Sequence, residues 1–463
     1  MTIKDTTAKK VLAVALARGG EFADIFIESR KASTLSYDDG RLDNVLSGQD
    51  TGCGIRLIRN RREVYAYTND LSEKNLAEIA AFVASEGAGG EPGQKRTFNF
   101  KKSRPAFLNK IGRKPSTVAL ARKISMLETG DRAARQSPAI RQVRVLLRDL
   151  VQDVTVVNSA GEWATDTRTH VLFSVQVVGE KGGVLQTAYE PAGGTIGFEL
   201  FDQHPPDEVA KTAAARVLRN LDARPMQGGR MAVVMAAEAG GTMIHEAIGH
   251  GLEADLANEG LSVYGGKLGE KVASDLITVV DDGTIPNRRG TFSFDDEGVK
   301  SGRNVLVENG VLKRYLSSRL SAMKDGTQST GNGRRQSYEH LPMVRMTNTY
   351  IASGEDDPAA IVKSVDRGLL VTRMGGGQVN TVNGDFVFEV SEGYLIENGQ
   401  RGPAVRGATL TGNGPRILRE IDRVGTDLGF GIGTCGKNGQ AVPVSDAQPT
   451  IRIPEIIVGG ELN

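Results

Sequence analysis

The stretch 243-MIHEAIGHGLEAD-255 decides how the rest of the chain is read. It places Glu246 directly after His245 and a second histidine, His250, five positions beyond the first. The helical zinc motif His-Glu-x-x-His has its histidines at i and i+4, on one helix face, where both imidazoles reach one ion. Five positions at roughly 100° each carry the second side chain about 140° around a regular helix, off that face. Two distortions remove the conflict. A π-bulge stretches the turn toward an i+5 repeat. Alternatively, Gly249 and Gly251, which flank His250, let the helix fray. The spacing predicts a helix distortion at His250. A helix-surface His and Glu with no ligand role is the alternative that the spacing leaves open.

Two neutral imidazoles and a thiolate leave one tetrahedral zinc position free for water, whose pKa falls to about 7. A carboxylate beside that water can take its proton and pass it to a leaving amine. Glu246 stands where that base is needed. The other histidines are His170, His204 and His340. His204, in 202-DQHPPDE-208, reads as a cap for the helix that follows. The better third ligand is Cys435, in the glycine-rich turn 429-GFGIGTCGKNGQ-440, where the backbone is free to approach a metal. A small buried core residue is the alternative. Cys53, in 51-TGCGIRL-57 at a strand start, reads as core. His340 and Arg373 are further candidates for transition-state contacts, without a spacing argument.

The 463 residues suffice for two or three domains. Apolar content of 39% and charged content of 24% are those of an ordinary globular chain. The 57 glycines imply many tight turns and a β-rich fold. A net charge of +1 gives no overall attraction to nucleic acid. No apolar run approaches the roughly 20 residues of a membrane helix. The run 11-VLAVALA-17 is followed by Arg18 and lacks a cleavage pattern, so it reads as an amphipathic helix rather than a signal segment. Two distant cysteines argue against a disulfide scaffold and for the reducing cytoplasm.

Periodicity and punctuation give helix 8–18, strands at 22–29, 33–40, 41–48, 52–60 and 62–69, and helix 71–87. Helix 116–135, strands within 140–200 and helix 206–221 follow, so the order helix, strands, helix occurs twice. Residues 92–115 look like a linker. They carry Pro92, Pro105 and Pro115, basic residues from Lys95 to Lys114 with no acid, and Phe98, Phe100 and Phe107. Cations interleaved with rings suit single-stranded nucleic acid, but no nucleic-acid fold surrounds them, and a surface crossing pinned by its rings is preferred. Past Pro225 the texture changes to turns and strands, with Asn-Gly hairpins in 304–316 and 394–400 and one helix in 238–256. The expectation is an α+β fold of two domains: 1–224, of helices and antiparallel strands, and 225–463, β-rich and carrying the metal-site helix.

The motifs 245-HEAIGHGLEADL-256, 373-RMGGGQVNTVNGDFVFEVSEGYLIENG-399, 431-GIGTCGKNGQAVPVSDAQPTIRI-453 and 52-GCGIRLI-58 resemble the TldD/PmbA family, formerly called modulators of DNA gyrase. The resemblance spans essentially the whole chain. It implies a zinc metallopeptidase with one Zn2+ per active subunit, held by His245, His250 and Cys435, and with Glu246 as catalytic base. All four residues are present, as in the metal-binding TldD branch. The partner implied is a second copy or a metal-free TldE (PmbA)-like subunit. The implied substrate is an unfolded or flexible peptide held extended. Such a peptide can add as a strand to a sheet edge. The loop 374-MGGGQVN-380, with Gly375, Gly376 and Gly377, could line the groove, since glycines admit close backbone approach. A plain tight turn or a phosphate loop are the alternatives, the latter without its strand–helix context or a nearby lysine.

Three functions follow. The first is a zinc peptidase. The second is a non-enzymatic subunit, either a gyrase or nucleic-acid regulator or a partner of a metallopeptidase. The basic stretch supports it, but the rest of the chain is net acidic. The third is a hydrolase using Cys435 as nucleophile with a histidine base.

Overall fold

The computed structural model describes residues 3–87, 96–105 and 109–461. Pro92, Lys95 and Phe107 of the linker-like stretch lie outside them. Helix α1 (Asp5–Ala15) buries Ala8, Val11, Leu12 and Ala15, a stripe at spacings of three and four. Strands β1 (Phe22–Asp38) and β2 (Arg41–Arg59) form one long antiparallel ribbon instead of the four short strands expected. Gly52, where the expected strand 52–60 begins, and Gly54 within it are sites of close packing inside one continuous strand. A Cβ on Gly52 would lie 2.2 Å from the Tyr338 ring, and one on Gly54 1.8 Å from Tyr65 Oη. The true reversal is at Asp39-Gly40, with φ of 47° and 78°, the left-handed pair of a type I′ hairpin.

β3 (Arg62–Thr68) completes this meander, and α2 (Glu73–Glu86) starts at Ser72, whose side chain accepts from Asn75 N–H. After the short β4 (Lys101–Ser103), α3 (Leu120–Ala134) leads into a second meander. It consists of β5 (Ile140–Asn158), β6 (Glu162–Lys181) and β7 (Val184–Gly194), followed by α4 (Leu200–Gln203) and α5 (Pro206–Asp222). One sheet runs β3-β2-β1-β5-β6-β7, with β4 parallel to β6. The duplicated order of elements is thus a duplicated architecture, joined where β1 pairs with β5 from Asp24↔Asn158 to Asp38↔Arg144. α1 and α2 cover one unit around Val11, Leu57 and Val83; α3 and α5 cover the other around Leu127, Phe173 and Val217.

His204 does not cap α5. It is exposed at the end of α4, and the cap position is Pro205, with no side-chain hydrogen bond. Pro206 at the helix start removes an N–H that would otherwise need a cap. The basic stretch is held as a surface crossing. Phe98 is buried, Phe100 meets Trp163 edge-on at 5.4 Å, and Lys102 lies 4.6 Å over Trp163 while pairing with Asp5.

In the second half, strands Arg367–Val379, Gly229–Met235, Ile451–Gly459, Thr409–Asn413 and Asp385–Glu397 pair in that order. The last pairs back with the first, which closes a five-stranded barrel. Side chains alternate as a strand requires. Val233, Met235, Leu369 and Val371 enter the large core, while Val234 and Leu370 pack outside with Ile361 of helix Pro358–Lys363. A second, six-stranded sheet has Gln440–Gln448 and Gly429–Lys437 at one edge. The expected hairpins form at Asn309-Gly310 and Asn398-Gly399, all four residues having positive φ. The expectation of one helix in this half is corrected. Arg319–Asp325, Pro358–Lys363 and Gly414–Glu420 are also helical, each opened by a side-chain cap rather than announced by periodicity. The fold is α+β, as expected.

Buried ion pairs join the two halves. Arg56, fully buried, is bonded to Asp24 and Glu63 of the first sheet and lies 2.8 Å from Glu297 of the second half. Arg168 reaches Asp296 at 2.7 Å, and Arg216 bridges Glu190 and Glu392.

Candidate metal centre

The expected helix over 238–256 is broken into short turns. Gly240, at φ 76°, separates a 3-10 turn at Ala237–Ala239 from Thr242–Ile244. A π-helical turn then spans His245–Gly249, followed by a 3-10 turn at His250–Leu252. The distortion predicted at His250 is present, and it is a π turn beginning at the first histidine. Packing fixes it. A Cβ on Gly249 would lie 2.1 Å from Met346 Sδ, and one on Gly251 2.6 Å from the Tyr264 ring. Tyr264 Oη donates to the Ala247 carbonyl inside the π turn at 3.1 Å.

This turn brings the two histidines together. His245 Nε2 is 3.2 Å from Cys435 Sγ, and His250 Nε2 is 3.3 Å from the same sulfur. The rings stand at 87° with centroids 5.0 Å apart. The three donor atoms lie within 4.8 Å of one another, and all three residues are buried. A tetrahedral zinc, roughly 2.0 Å from nitrogen and 2.3 Å from sulfur, sets its N and S ligands about 3.6 Å apart. The observed separations are a few tenths shorter, so a small outward movement suffices. The donor set fits zinc.

Cys435 is on a strand, not in a turn. The chain reverses three residues later at Asn438-Gly439, with φ of 49° and 76°, a third Asn-Gly hairpin. Its register pairs Cys435 with Val442. Arg345, fully buried, donates to the Cys435 and Gln440 carbonyls and so braces this hairpin.

The electrostatics favour a thiolate. Burial raises the Cys435 thiol, but hydrogen bonds from His245 and His250 outweigh it and bring it to about 4. Burial lowers the His250 imidazole, yet Glu253 and Cys435 raise it well above its ordinary value. Glu253 Oε2 lies 2.9 Å from His250 Nδ1 and 2.9 Å from Lys437 Nζ. Lys437 also reaches Asp255 at 2.7 Å. A carboxylate on the far nitrogen fixes the tautomer and orientation of a metal-binding imidazole. Glu246 is half-buried beside the cluster, and burial raises its carboxyl against the pull of His245 and His250. A carboxyl so raised accepts a proton more readily than a solvated one.

The sequence reading did not single out Glu253, Lys437 or Arg345. A signal existed for the first: it is three residues after His250, within the quoted motif. The same signal existed for Lys437, two residues after Cys435 within the quoted 429–440, and none for Arg345. Of the other candidates, Cys53 is fully buried. His340 bonds Ser337, and Arg373 is held by Glu190 and the Glu238 carbonyl. Gly375, Gly376 and Gly377 lie within strand Arg367–Val379 rather than in a loop, at an irregularity of its pairing with Asp385–Glu397. A Cβ on Gly377 would strike the Phe388 ring at 1.8 Å, and one on Gly375 would meet Ser391 Oγ at 2.9 Å. Gly376 has open space.

The sequence matches the PmbA/TldA metallopeptidase domain 1 over residues 23–86, its central domain over 113–221 and its C-terminal domain over 228–460. The Metalloprotease TldD homolog of Haemophilus influenzae is 36% identical, over 96% of this chain and 94% of that protein. A metalloprotease of Methanothermobacter thermautotrophicus is 35% identical, over 95% and 96%. The Zinc metalloprotease TldD homolog of Saccharolobus solfataricus is 27% identical, over 96% and 97%. Two solved structures share the fold. A Thermotoga maritima protein described as a candidate modulator of a DNA gyrase superposes with a TM-score of 0.81 at 21% identity, covering 98% of this chain and all of that one. TldE from Thermococcus kodakarensis superposes with a TM-score of 0.74 at 19% identity, covering 98% of this chain and 100% of that one. With all three domains matched and such relatives along nearly its whole length, the chain belongs to the PmbA/TldD metallopeptidase family.

Proposed function

We propose that the protein is a zinc-dependent peptidase that hydrolyses unfolded or flexible peptides in the cytoplasm. The observation that carries this is the meeting of His245 Nε2, His250 Nε2 and Cys435 Sγ at one buried point. Those three residues are the proposed zinc ligands. When bound there, zinc supplies Lewis acidity, polarising the scissile carbonyl and acidifying the attacking water. Glu246 accepts that water's proton and returns it to the leaving amine. Glu253 holds His250 with its Nε2 directed at the site. The proposed division of labour is between 1–224, whose strands from Phe22 to Gly194 make the first sheet, and 225–463, which hold all four site residues.

The substrate would lie extended along strand Arg367–Val379. That strand pairs with Gly229–Met235 only from Gly368 to Val371, so beyond Val371 this edge has no strand partner among the described residues. A peptide can add there through main-chain hydrogen bonds. Gly376, which packing leaves free, would face it, between Gly375 and Gly377. The working unit is a homodimer or a heterodimer with a metal-free TldE-like chain, in keeping with the TldE structure's shared fold.

The test is metal content and cleavage of an unstructured peptide, measured together. Cys435→Ala should lose most of the roughly one zinc per chain of the wild type. Glu246→Ala should keep zinc and lose cleavage. A Glu246→Ala protein that still cleaves removes Glu246 from the role. A wild type that takes no zinc when zinc is supplied returns the chain to the non-enzymatic subunit reading.

A further inference from the structure

Behind the hairpin that carries Cys435, at the junction with the first sheet, lies a cavity of about 100 Å³. Arg30, Arg168, Arg289, Arg334 and Arg335 line it, with Asp296 as the one carboxylate among the described residues of the lining. That carboxylate is spoken for, since it accepts from Arg168 at 2.7 Å and from Arg335 N–H at 2.8 Å. Arg335 also lies 3.7 Å from Asp24, and Arg30 3.7 Å from Glu28.

Arg289 and Arg334 differ from the rest. Neither pairs with a carboxylate among the described residues. Arg289 donates to the Gly433 carbonyl at 3.0 Å and to Thr434 Oγ1 at 3.2 Å, on the two residues before Cys435. Arg334, almost fully buried, donates to the carbonyls of Met346 and Pro443. Phe292 is flanked by Arg168 and Arg334, each 5.2 Å from its ring centre. Carbonyl dipoles and a ring face stabilise a guanidinium, but they do not neutralise it. Several cations gathered round one small space raise each other's cost unless an anion enters. His170, also on the wall, adds no charge: burial and the surrounding arginines hold its imidazole well below its ordinary range.

We propose that this cavity binds a small oxyanion, a carboxylate or phosphate group, gripped by Arg289 and Arg334 with Arg30 at the mouth. The planar guanidinium fork suits two-oxygen recognition. The size suits the group, since the space exceeds the roughly 30 Å³ share of a single water several times over. Arg30, with its side chain 31% exposed, provides an approach from solvent. The anion could be free phosphate or the C-terminal carboxylate of a peptide, and the two sources can be told apart.

The experiment is calorimetric titration of the full-length protein with inorganic phosphate at constant ionic strength set by chloride. Saturable binding is expected in the wild type. Arg289→Met should weaken it at least tenfold, and Arg30→Met, at the rim, about threefold. N-acetylglycine and its neutral amide are then used as competitors. Displacement by the acid and not by the amide supports a peptide carboxylate as the occupant. Failure of both to displace supports free phosphate. No saturable binding in the wild type overturns the proposal. So does wild-type affinity in both variants, because phosphate held at the metal would be indifferent to either arginine.

Discussion

Replacement of Glu253 by glutamine tests whether the buried carboxylate sets the histidine for the metal. Glu253 is fully buried, with Oε2 at 2.9 Å from both His250 Nδ1 and Lys437 Nζ. Burial alone would raise its carboxyl, but His250 and Lys437 outweigh burial and bring it to about 2, so it is charged at any working pH. Glutamine keeps the volume and one acceptor oxygen while removing the charge. Lys437 retains Asp255 at 2.7 Å, so the exchange does not strand a buried ammonium. The loss should therefore fall on the metal rather than on the fold. Partners of metal-bound histidines are typically worth 10- to 100-fold in affinity, or about 1.4–2.7 kcal/mol. Zinc titration against a chromogenic chelator, on wild type and Glu253→Gln, reads this directly. A Kd within twofold of wild type would refute the reasoning, because His250 would then hold its orientation without the carboxylate.

Gly249→Ala puts a Cβ 2.1 Å from Met346 Sδ and should cost about 1–3 kcal/mol in denaturant unfolding. Met346→Ala in the same chain should return part of that loss, and independent, additive losses would argue against the clash. Arg56→Met leaves Asp24, Glu63 and Glu297 without their common cation. Breaking such a buried pairing costs roughly 3–5 kcal/mol, so a urea midpoint equal to wild type would contradict this role at the junction. Glu392 gives a pH signature. Burial raises its carboxyl, while Tyr394, Arg216 and Arg219 outweigh burial and hold it below its ordinary 4.5. A depressed carboxyl contributes stability that is in place above its unfolded value and is lost as pH falls through the folded one. The Tm of Glu392→Gln should start lower at neutral pH and fall less steeply than wild type below pH 4.5; parallel acid limbs would remove Glu392 from the response.

The chain's own pattern fixed much of this. Long periodic helices such as α2 and α5 were legible because an apolar stripe and a helix start are local properties. The α+β class, the paired helix–strand–helix units and the Asn-Gly hairpins at 309–310 and 398–399 are local in the same sense. The distortion at His250 follows from the i+5 spacing once both histidines are read as ligands of one ion, since such ligands cannot stand about 140° apart; a helix-surface pair with no ligand role would not have required it.

Tertiary structure decided what distance along the chain conceals. Gly52 reads as a strand start and Gly54 as an ordinary strand position, but the rings that need their space are Tyr65 and Tyr338, the latter far off in sequence. Gly375 and Gly377 looked like a loop, yet Phe388 and Ser391 account for them within a strand. Cys435 could be nominated from its surroundings in the sequence; its place on a strand, 3.2 Å from His245 Nε2, depends on a hairpin register and on Arg345. The sequence by itself determined which groups could bind a metal, because ligand chemistry belongs to residue types. Only the packing of the barrel against the six-stranded sheet determined that residues nearly two hundred positions apart meet at one buried point, because that meeting depends on long-range contacts to which local sequence is blind.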